Sequence, residues 1–190
     1  MAVEVVTFGC RLNAFEAELI RREAEQAGCH DTIVVNSCAV TSEAVAQVRQ
    51  SIRRLKRERP QARIVVTGCA AQVETEMFAA MAEVDRVIGN HDKLSGAAWQ
   101  ALHQTLDRDP SNDSAARKIA VGDIMAVRAM APMPLDRVAH DLPRVFVPVQ
   151  NGCDHRCTFC IIPYGRGPSR SLPPEAVIDQ VRTLVGRGHG

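Results

Sequence analysis

Cys153, Cys157 and Cys160 fall in one short stretch, Cys153-Asp-His-Arg-Cys157-Thr-Phe-Cys160, a C-x3-C-x2-C triplet. Three thiolates this close along a chain suit one metal centre. An iron–sulfur cluster is ordinarily held by four cysteines, so a triplet leaves it one ligand short. A metal site keeps a vacant position when it must bind a reactant. The competing use of such a loop is structural zinc, which needs a fourth Cys or His nearby. His155 lies inside the triplet, so zinc stays open on these residues alone.

The chain has seven cysteines, and three of the remaining four follow one rule. Val3 to Cys10, Thr32 to Cys38 and Arg63 to Cys69 each read as a short β-branched apolar run, then a small or polar residue, then Cys. Runs of Val and Ile bounded by turn residues suit strands buried on both faces, as in a parallel sheet. The cysteines recur about once per βα unit of roughly 30 residues. All three therefore belong at the carboxyl edge of one sheet, where open α/β folds place ligands. That makes a second three-thiolate site, again one ligand short. The alternative is that small buried residues happen to end three strands. Cys29, in Ala27-Gly28-Cys29-His30, falls at a helix end and reads as an ordinary packed or partly exposed thiol.

The elements that must position these residues are legible. Ala14 to Ala27 carries apolar positions at Phe15, Leu19, Ile20 and Ala24. Ser42 to Arg59 carries them at Val45, Val48, Ile52 and Leu55, with Thr41 or Ser42 as N-cap and Pro60 just beyond the end. Arg86-Val87-Ile88 reads as a fourth strand and 92–106 as a helix. Asp107 to Ser114 is a polar break, and Lys118 to Met125 offers a further strand. Ala131 to Leu135 and Asp141 to Pro143 read as linker, Val145 to Val149 opens a second unit, and Pro173-Pro174 starts a helix reaching Val185.

Thr7-Phe-Gly-Cys10-Arg-Leu-Asn13, Val35-Asn-Ser-Cys38-Ala-Val-Thr41 and Val66-Thr-Gly-Cys69-Ala70 resemble the N-terminal domain of the radical S-adenosylmethionine methylthiotransferases. Val149 to Cys153 and Ile162-Pro-Tyr-Gly-Arg-Gly-Pro-Ser-Arg-Ser171 are similar to the cluster loop of the same family. The first two cysteine segments, with Gly89-Asn-His-Asp-Lys93, most resemble the branch that modifies threonylcarbamoyladenosine beside the tRNA anticodon. The resemblance implies two [4Fe-4S] clusters, one at Cys10, Cys38 and Cys69 and one at Cys153, Cys157 and Cys160. It further implies S-adenosylmethionine at the open iron of the second cluster, where reductive cleavage gives a 5′-deoxyadenosyl radical. The first cluster would hold or donate sulfur, a second S-adenosylmethionine would supply the methyl group, and the product would be a methylthio substituent at an adenine C–H of tRNA. A flavodoxin- or ferredoxin-type electron donor is implied as well.

Phe159 resembles the family's aromatic beside the cofactor adenine; packing under the loop explains it equally. Asn13, Ser37 and Thr41 lie next to cluster ligands and could hydrogen-bond sulfur, which tunes potential. Turn and N-cap roles serve them nearly as well. Arg166 and Arg170 follow the cysteine loop and could face phosphate or the cofactor carboxylate.

The formal net charge of +1 over 190 residues predicts no strong field. It conceals Arg49, Arg53, Arg54, Lys56, Arg57 and Arg59 on one helix. Of these, Arg49, Arg53 and Arg57 are candidates for RNA phosphate, the solvated face being the plainer reading. A single Trp and a single Tyr give no stacking platform for single strands. With no G-x-G-x-x-G or G-x4-G-K-[ST], a Rossmann dinucleotide or P-loop role lacks support. No apolar run approaches the ~18 residues of a membrane span. Met1-Ala-Val-Glu4 lacks the basic leader and apolar core of a signal peptide, so a cytoplasmic, reducing compartment is expected, where cysteine sets are metal or catalytic sites rather than disulfides.

The expected architecture is thus α/β. Residues 1–107 form an open parallel-sheet domain, Rossmann-like or flavodoxin-like, and 108–143 an extension and linker. Residues 144–190 hold the first βα unit of a radical S-adenosylmethionine barrel. A full (β/α)8 barrel takes roughly 200 residues or more. The chain is therefore expected to be the N-terminal portion of a longer enzyme and inactive alone, with its oligomeric state open. Two other readings share the same cysteines: a methylthiotransferase of another branch, acting on isopentenyladenosine or a ribosomal-protein aspartate, and a non-catalytic iron–sulfur electron-transfer module.

Overall fold

A computed structural model describes residues 3–106, 118–130, 133 and 145–189. In chain order the first part holds β1 (Glu4–Thr7), α1 (Arg11–Gln26), β2 (Thr32–Ser37), α2 (Ser42–Glu58) and β3 (Arg63–Gly68). It continues through α3 (Cys69–Val73), α4 (Thr75–Ala79), β4 (Arg86–Ile88), α5 (Gly96–Leu106) and β5 (Ile119–Ala120). All five strands run parallel in the order β1-β2-β3-β4-β5.

The strand residues explain the layers. Every residue of β2 is buried, as is all of β3 except its first, which suits central strands covered on both sides. Alternate side chains then separate into two cores. Ile33, Val35, Ile64 and Val66 pack with Val45, Val48, Ile52 and Leu55 of α2 and with Phe78 of α4. Val34, Val65 and Ile88 pack on the opposite face with Ile20 and Ala24 of α1 and with Trp99 and Leu102 of α5. Each fully buried Val, Leu or Ile contributes about 1.5–3 kcal/mol, so these two stripes carry most of the sheet's stability.

The strand order is consecutive, unlike the doubly wound orders that reverse at a switch point. The steps from β1 to β2 and from β2 to β3 run the same way across the sheet, yet α1 and α2 cover opposite faces. The two crossovers therefore have opposite hands, and one departs from the usual right-handed rule. The consequence is local: three cysteine-bearing strand ends are direct neighbours.

Several boundaries differ from expectation. α1 begins at Arg11, directly after Cys10, instead of at Ala14. The helix expected over 92–106 is divided: Asp92–Leu94 is a single 3-10 turn, and α5 begins at Gly96. The strand expected within 118–125 is only Ile119–Ala120, followed by a 3-10 turn at Ile124–Ala126. Nearly all of the expected linker, including 107–114, 134–135 and 141–143, lies outside the described residues.

The second part holds β6 (Gln150–Asn151), α6 (Ile162–Arg166), β7 (Arg170–Ser171) and α7 (Pro174–Val185), with β6 and β7 antiparallel. No barrel closes among the described residues. Residues 145–149 are irregular, and Pro148 offers no N–H to a ladder there. This part packs on α1: Phe15 and Leu19 meet Leu184 of α7, Met133, Val145 and Val147.

Candidate metal centres at the sheet edge and the cysteine loop

Register brings the first three cysteines together. Asn36 stands opposite Thr7 and Thr67, and Ser37 opposite Gly68, so Cys38 and Cys69 follow one matched row. β1 is extended past its end by Phe8, whose N–H donates to Asn36 O at 3.0 Å. Gly9 then turns with φ +89°, and any side chain there would collide with Cys38 Sγ. The backbone beside Cys10 thus lies against the Cys38 side chain. Cys38 and Cys69 are buried, whereas Cys10 is exposed.

Burial and nearby charge act together at this edge. Cys10 is the N-cap residue of the 16-residue α1, and its thiol makes no cap bond. Burial pushes the Cys69 thiol up, and the opposing pull comes from Arg166 and Lys93. Both cations belong to a buried network. Lys93 Nζ lies 2.6 Å from one Glu16 oxygen and Arg166 Nη1 lies 3.1 Å from the other. Arg166 Nη2 donates to Asn13 Oδ1 at 2.7 Å, and Lys93 Nζ to Asn36 Oδ1 at 3.2 Å. Despite its burial, Glu16 is held below the ordinary carboxylate range by Lys93 and then Arg166. Arg166 is raised further, with Glu16 as the leading cause against desolvation.

The second set sits on a loop pinned at its ends. Gly152 has φ +77°, and a Cβ there would strike the Pro168 carbonyl. Cys153 N–H donates to Gly167 O at 3.1 Å, and Ser169 N–H to Asp154 Oδ1 at 2.9 Å. Cys160 N–H closes a turn on Cys157 O at 3.0 Å. Cys157 is exposed, while Cys153 and Cys160 are half-buried. Phe159 is 90% exposed, so it packs under nothing described.

The helix that follows the loop reaches the first set. A Cβ at Gly165 would stand 3.1 Å from Cys69 Cβ, which places the helix after the loop directly on the first site. Asn90 Nδ2 bridges them, donating to Gly165 O at 2.6 Å and reaching Cys69 Sγ at 3.5 Å.

Some expectations shift. Asn13, Ser37 and Thr41 make their recorded bonds elsewhere than to sulfur. Asn13 Nδ2 donates to Phe8 O and Ser37 O, and Ser37 Oγ donates to Thr67 O and accepts from Ala71 N–H. Thr41 caps α2. A residue that does reach a sulfur is Asn90, read in the sequence only as part of the Gly89 to Lys93 motif, because it follows β4, far along the chain from any cysteine. Arg166, expected to face phosphate or the cofactor carboxylate, is buried against Glu16. Arg170 is likewise buried, donating to Arg166 O at 2.8 Å and lining a cavity of about 340 Å³ with His91 and Met133. Cys29 packs in the second core, away from the sheet edge. Arg53 and Arg57 are exposed and Arg49 is half-buried, one helical stripe on α2 at i, i+4 spacing. Lys56 pairs instead with Asp85, and Arg59 with Glu4.

Two sets of three free thiols have the donor chemistry of iron–sulfur ligands. Among the described residues, no three of His, Cys, Asp and Glu are grouped to hold one metal ion. A zinc site needs all its ligands about 2.0–2.3 Å from one atom, so neither triplet is a ready zinc cage. A four-iron cluster gives each thiolate its own iron and tolerates wider spacing. All six thiols are free.

Residues 2–89 match the model described as "Uncharacterized protein family UPF0004", and residues 147–190 match the Radical SAM superfamily. The chain is 46% identical over 185 residues to "Threonylcarbamoyladenosine tRNA methylthiotransferase MtaB" of Rickettsia prowazekii, covering 97% of this chain and 41% of that protein. It is 36% identical over 197 residues to the protein of the same name in Aquifex aeolicus, covering 99% and 46%. At 33% over 202 residues it is similar to "tRNA-2-methylthio-N(6)-dimethylallyladenosine synthase" of Sorangium cellulosum, covering 97% and 39%. The chain belongs to the radical S-adenosylmethionine methylthiotransferase family. It spans less than half the length of these curated relatives.

Proposed function

We propose that the protein carrying this chain is a tRNA methylthiotransferase acting on threonylcarbamoyladenosine. It would place sulfur and then a methyl group at an adenine C–H. The observation that supports this reading is a pair of three-cysteine sets, one at the sheet edge and one on the loop that leads into α6, with α6 laid against Cys69. Two [4Fe-4S] clusters and S-adenosylmethionine, when bound, would supply the radical and sulfur chemistry. Cys153, Cys157 and Cys160 would hold the cluster that takes S-adenosylmethionine, on the loop pinned by Gly152 and Asp154. Cys10, Cys38 and Cys69 would hold the other, with α6 and Asn90 closing over Cys69. Exposed Phe159 stands where a flat cofactor ring could stack. The Arg49, Arg53 and Arg57 stripe is offered to RNA phosphate, and a flavodoxin- or ferredoxin-type protein would deliver electrons.

The threonylcarbamoyl branch is favoured over the dimethylallyl branch because relatives named for the former reach 46% identity, against 33% for the latter. No described helix is long and apolar enough to cross a membrane, which suits work on tRNA in the cytoplasm. Nucleoside mass spectrometry of tRNA from cells lacking the gene tests the assignment. Loss of the methylthio group from threonylcarbamoyladenosine alone is expected; loss from the dimethylallyl nucleoside instead would move the protein to the other branch.

A further inference from the structure

Burying a carboxylate is unfavourable unless cations meet it, and α1 buries Glu16 to 1% exposure. The two cations that meet it come from separate segments. Lys93 lies after β4 and is fully buried, and Arg166 ends α6. A trio of apolar side chains would serve stability as well as such an ionic cluster or better, so its retention asks for another reason. Its location supplies one. Arg166 directly follows Gly165, which lies against Cys69, and Lys93 donates to Asn36, two residues before Cys38. Asn13 and Asn36 fix the cations from the other side while joining each other and the β1 and β2 ends, through Asn36 Nδ2 to Asn13 O at 3.0 Å. Asn151, one residue before Gly152 of the cysteine loop, also accepts from Arg166 at 3.3 Å.

We propose that Glu16 is a positioning residue for the three-cysteine edge: holding Lys93 by one oxygen and Arg166 by both, it keeps two cations at that edge and clamps α6 onto it. Positive charge beside thiolate-bound iron favours the reduced cluster and raises its potential. The electrostatic half of this inference rests on the iron–sulfur reading above; the clamp stands without metal.

Two measurements on the purified protein separate these halves. Hydrogen exchange reads the clamp through the Gly165 and Gly167 amides, which close α6 on Ile161 and Pro163. Glu16→Gln should speed them about tenfold, as the loss of a charge-assisted anchor allows. Glu16→Asp should restore part of the protection. If Glu16→Gln does not fold, the charge-balanced Glu16→Gln/Lys93→Met variant carries the same test. Parent-like exchange in whichever of these folds overturns the clamp. The second measurement uses protein with Cys153, Cys157 and Cys160 replaced by Ala and reconstituted with iron and sulfide. Lys93→Met should then move the midpoint potential of the remaining cluster to more negative values at unchanged iron content. An unmoved potential with full iron overturns the electrostatic half, because a merely structural lysine would behave that way. Absence of iron before Lys93 is changed overturns the iron–sulfur reading of the edge and that half with it, while the exchange result still decides the clamp.

Discussion

Cys153, Cys157 and Cys160 are kept near one another by a single short loop, whereas Cys10, Cys38 and Cys69 meet only because three parallel strands end side by side. The loop set is half-open, with Cys157 and Phe159 in solvent and the backbone held by a few hydrogen bonds. The edge set has two buried thiols, a helix start at Cys10, two buried cations and a helix from the second unit laid over Cys69. The difference would suit the unlike tasks of the proposed function, an open set for a small cofactor and a shielded one for sulfur. The edge set takes its rigidity from the sheet, and the loop set from a few backbone bonds.

Removing ligands tests this contrast most strongly. Cys10→Ala, Cys38→Ala and Cys69→Ala should each abolish the same share of the bound iron after anaerobic reconstitution. Cys153→Ala, Cys157→Ala and Cys160→Ala should each abolish the other share. Cys29→Ala should leave iron and acid-labile sulfide unchanged, and iron loss equal to that of Cys38→Ala would break the assignment. Two separable losses, each near half, would sharpen it.

Next in size is the charge network that only the edge set has. Glu16→Gln strands two buried cations and should cost about 3–5 kcal/mol in urea unfolding. Removing the exposed Arg182–Asp179 pair should cost no more than about 1 kcal/mol. Acid dependence carries the same signature. Because the Glu16 carboxyl is held below its ordinary value of 4.5, its contribution is complete above that pH. It is lost as pH falls through the lower folded-state value, since the unfolded chain takes up the proton first. Glu16→Gln should flatten that part of the stability profile. A parent-like acid slope would mean that Glu16 is not ionised in the fold.

Backbone turns distinguish the sites at smaller cost. Gly9→Ala and Gly152→Ala both force a left-handed residue into contact, on Cys38 and on the Pro168 carbonyl respectively. Each should destabilise by roughly 1–3 kcal/mol. Gly9→Ala should lower iron at the edge set only, and Gly152→Ala at the loop set only, as read by the same iron assay. Equal loss at both sites in either variant would mean that the sets are not independent.

The smallest effect belongs to the surface. Replacing Arg49, Arg53 and Arg57 by Gln should weaken tRNA binding and reduce the salt slope by about 3, roughly one per phosphate contact. Neither cluster should change. An unaltered slope would return this stripe to an ordinary solvated face.

The cysteine loop was fully legible along the chain, because its geometry is set by neighbours in sequence. The edge set was legible through repetition: Val-Val, a small residue, then Cys, three times, once per βα unit. Strand and helix identities followed from buried Val and Ile runs and from apolar stripes at helical spacing. The division of 92–106 into a turn and a helix was not legible, because Ser95 and Gly96 interrupt a pattern whose apolar positions remain compatible with one helix. Consecutive strand order was equally hidden, since periodicity says which faces are apolar and not which strands adjoin.

Sequence alone determined the cysteine motifs and, through them, the family. Only the tertiary structure decided that α6 rests on Cys69, that Asn90 reaches its sulfur, and that Glu16 gathers Lys93 and Arg166. The physical reason is range. Spacing and hydrophobic period are set by residues a few positions apart, so they are written in the chain. Compensation of a buried charge draws on whichever segments the fold brings near, and the partners of Glu16 stand in the β4 loop and in α6, at separations no local pattern encodes.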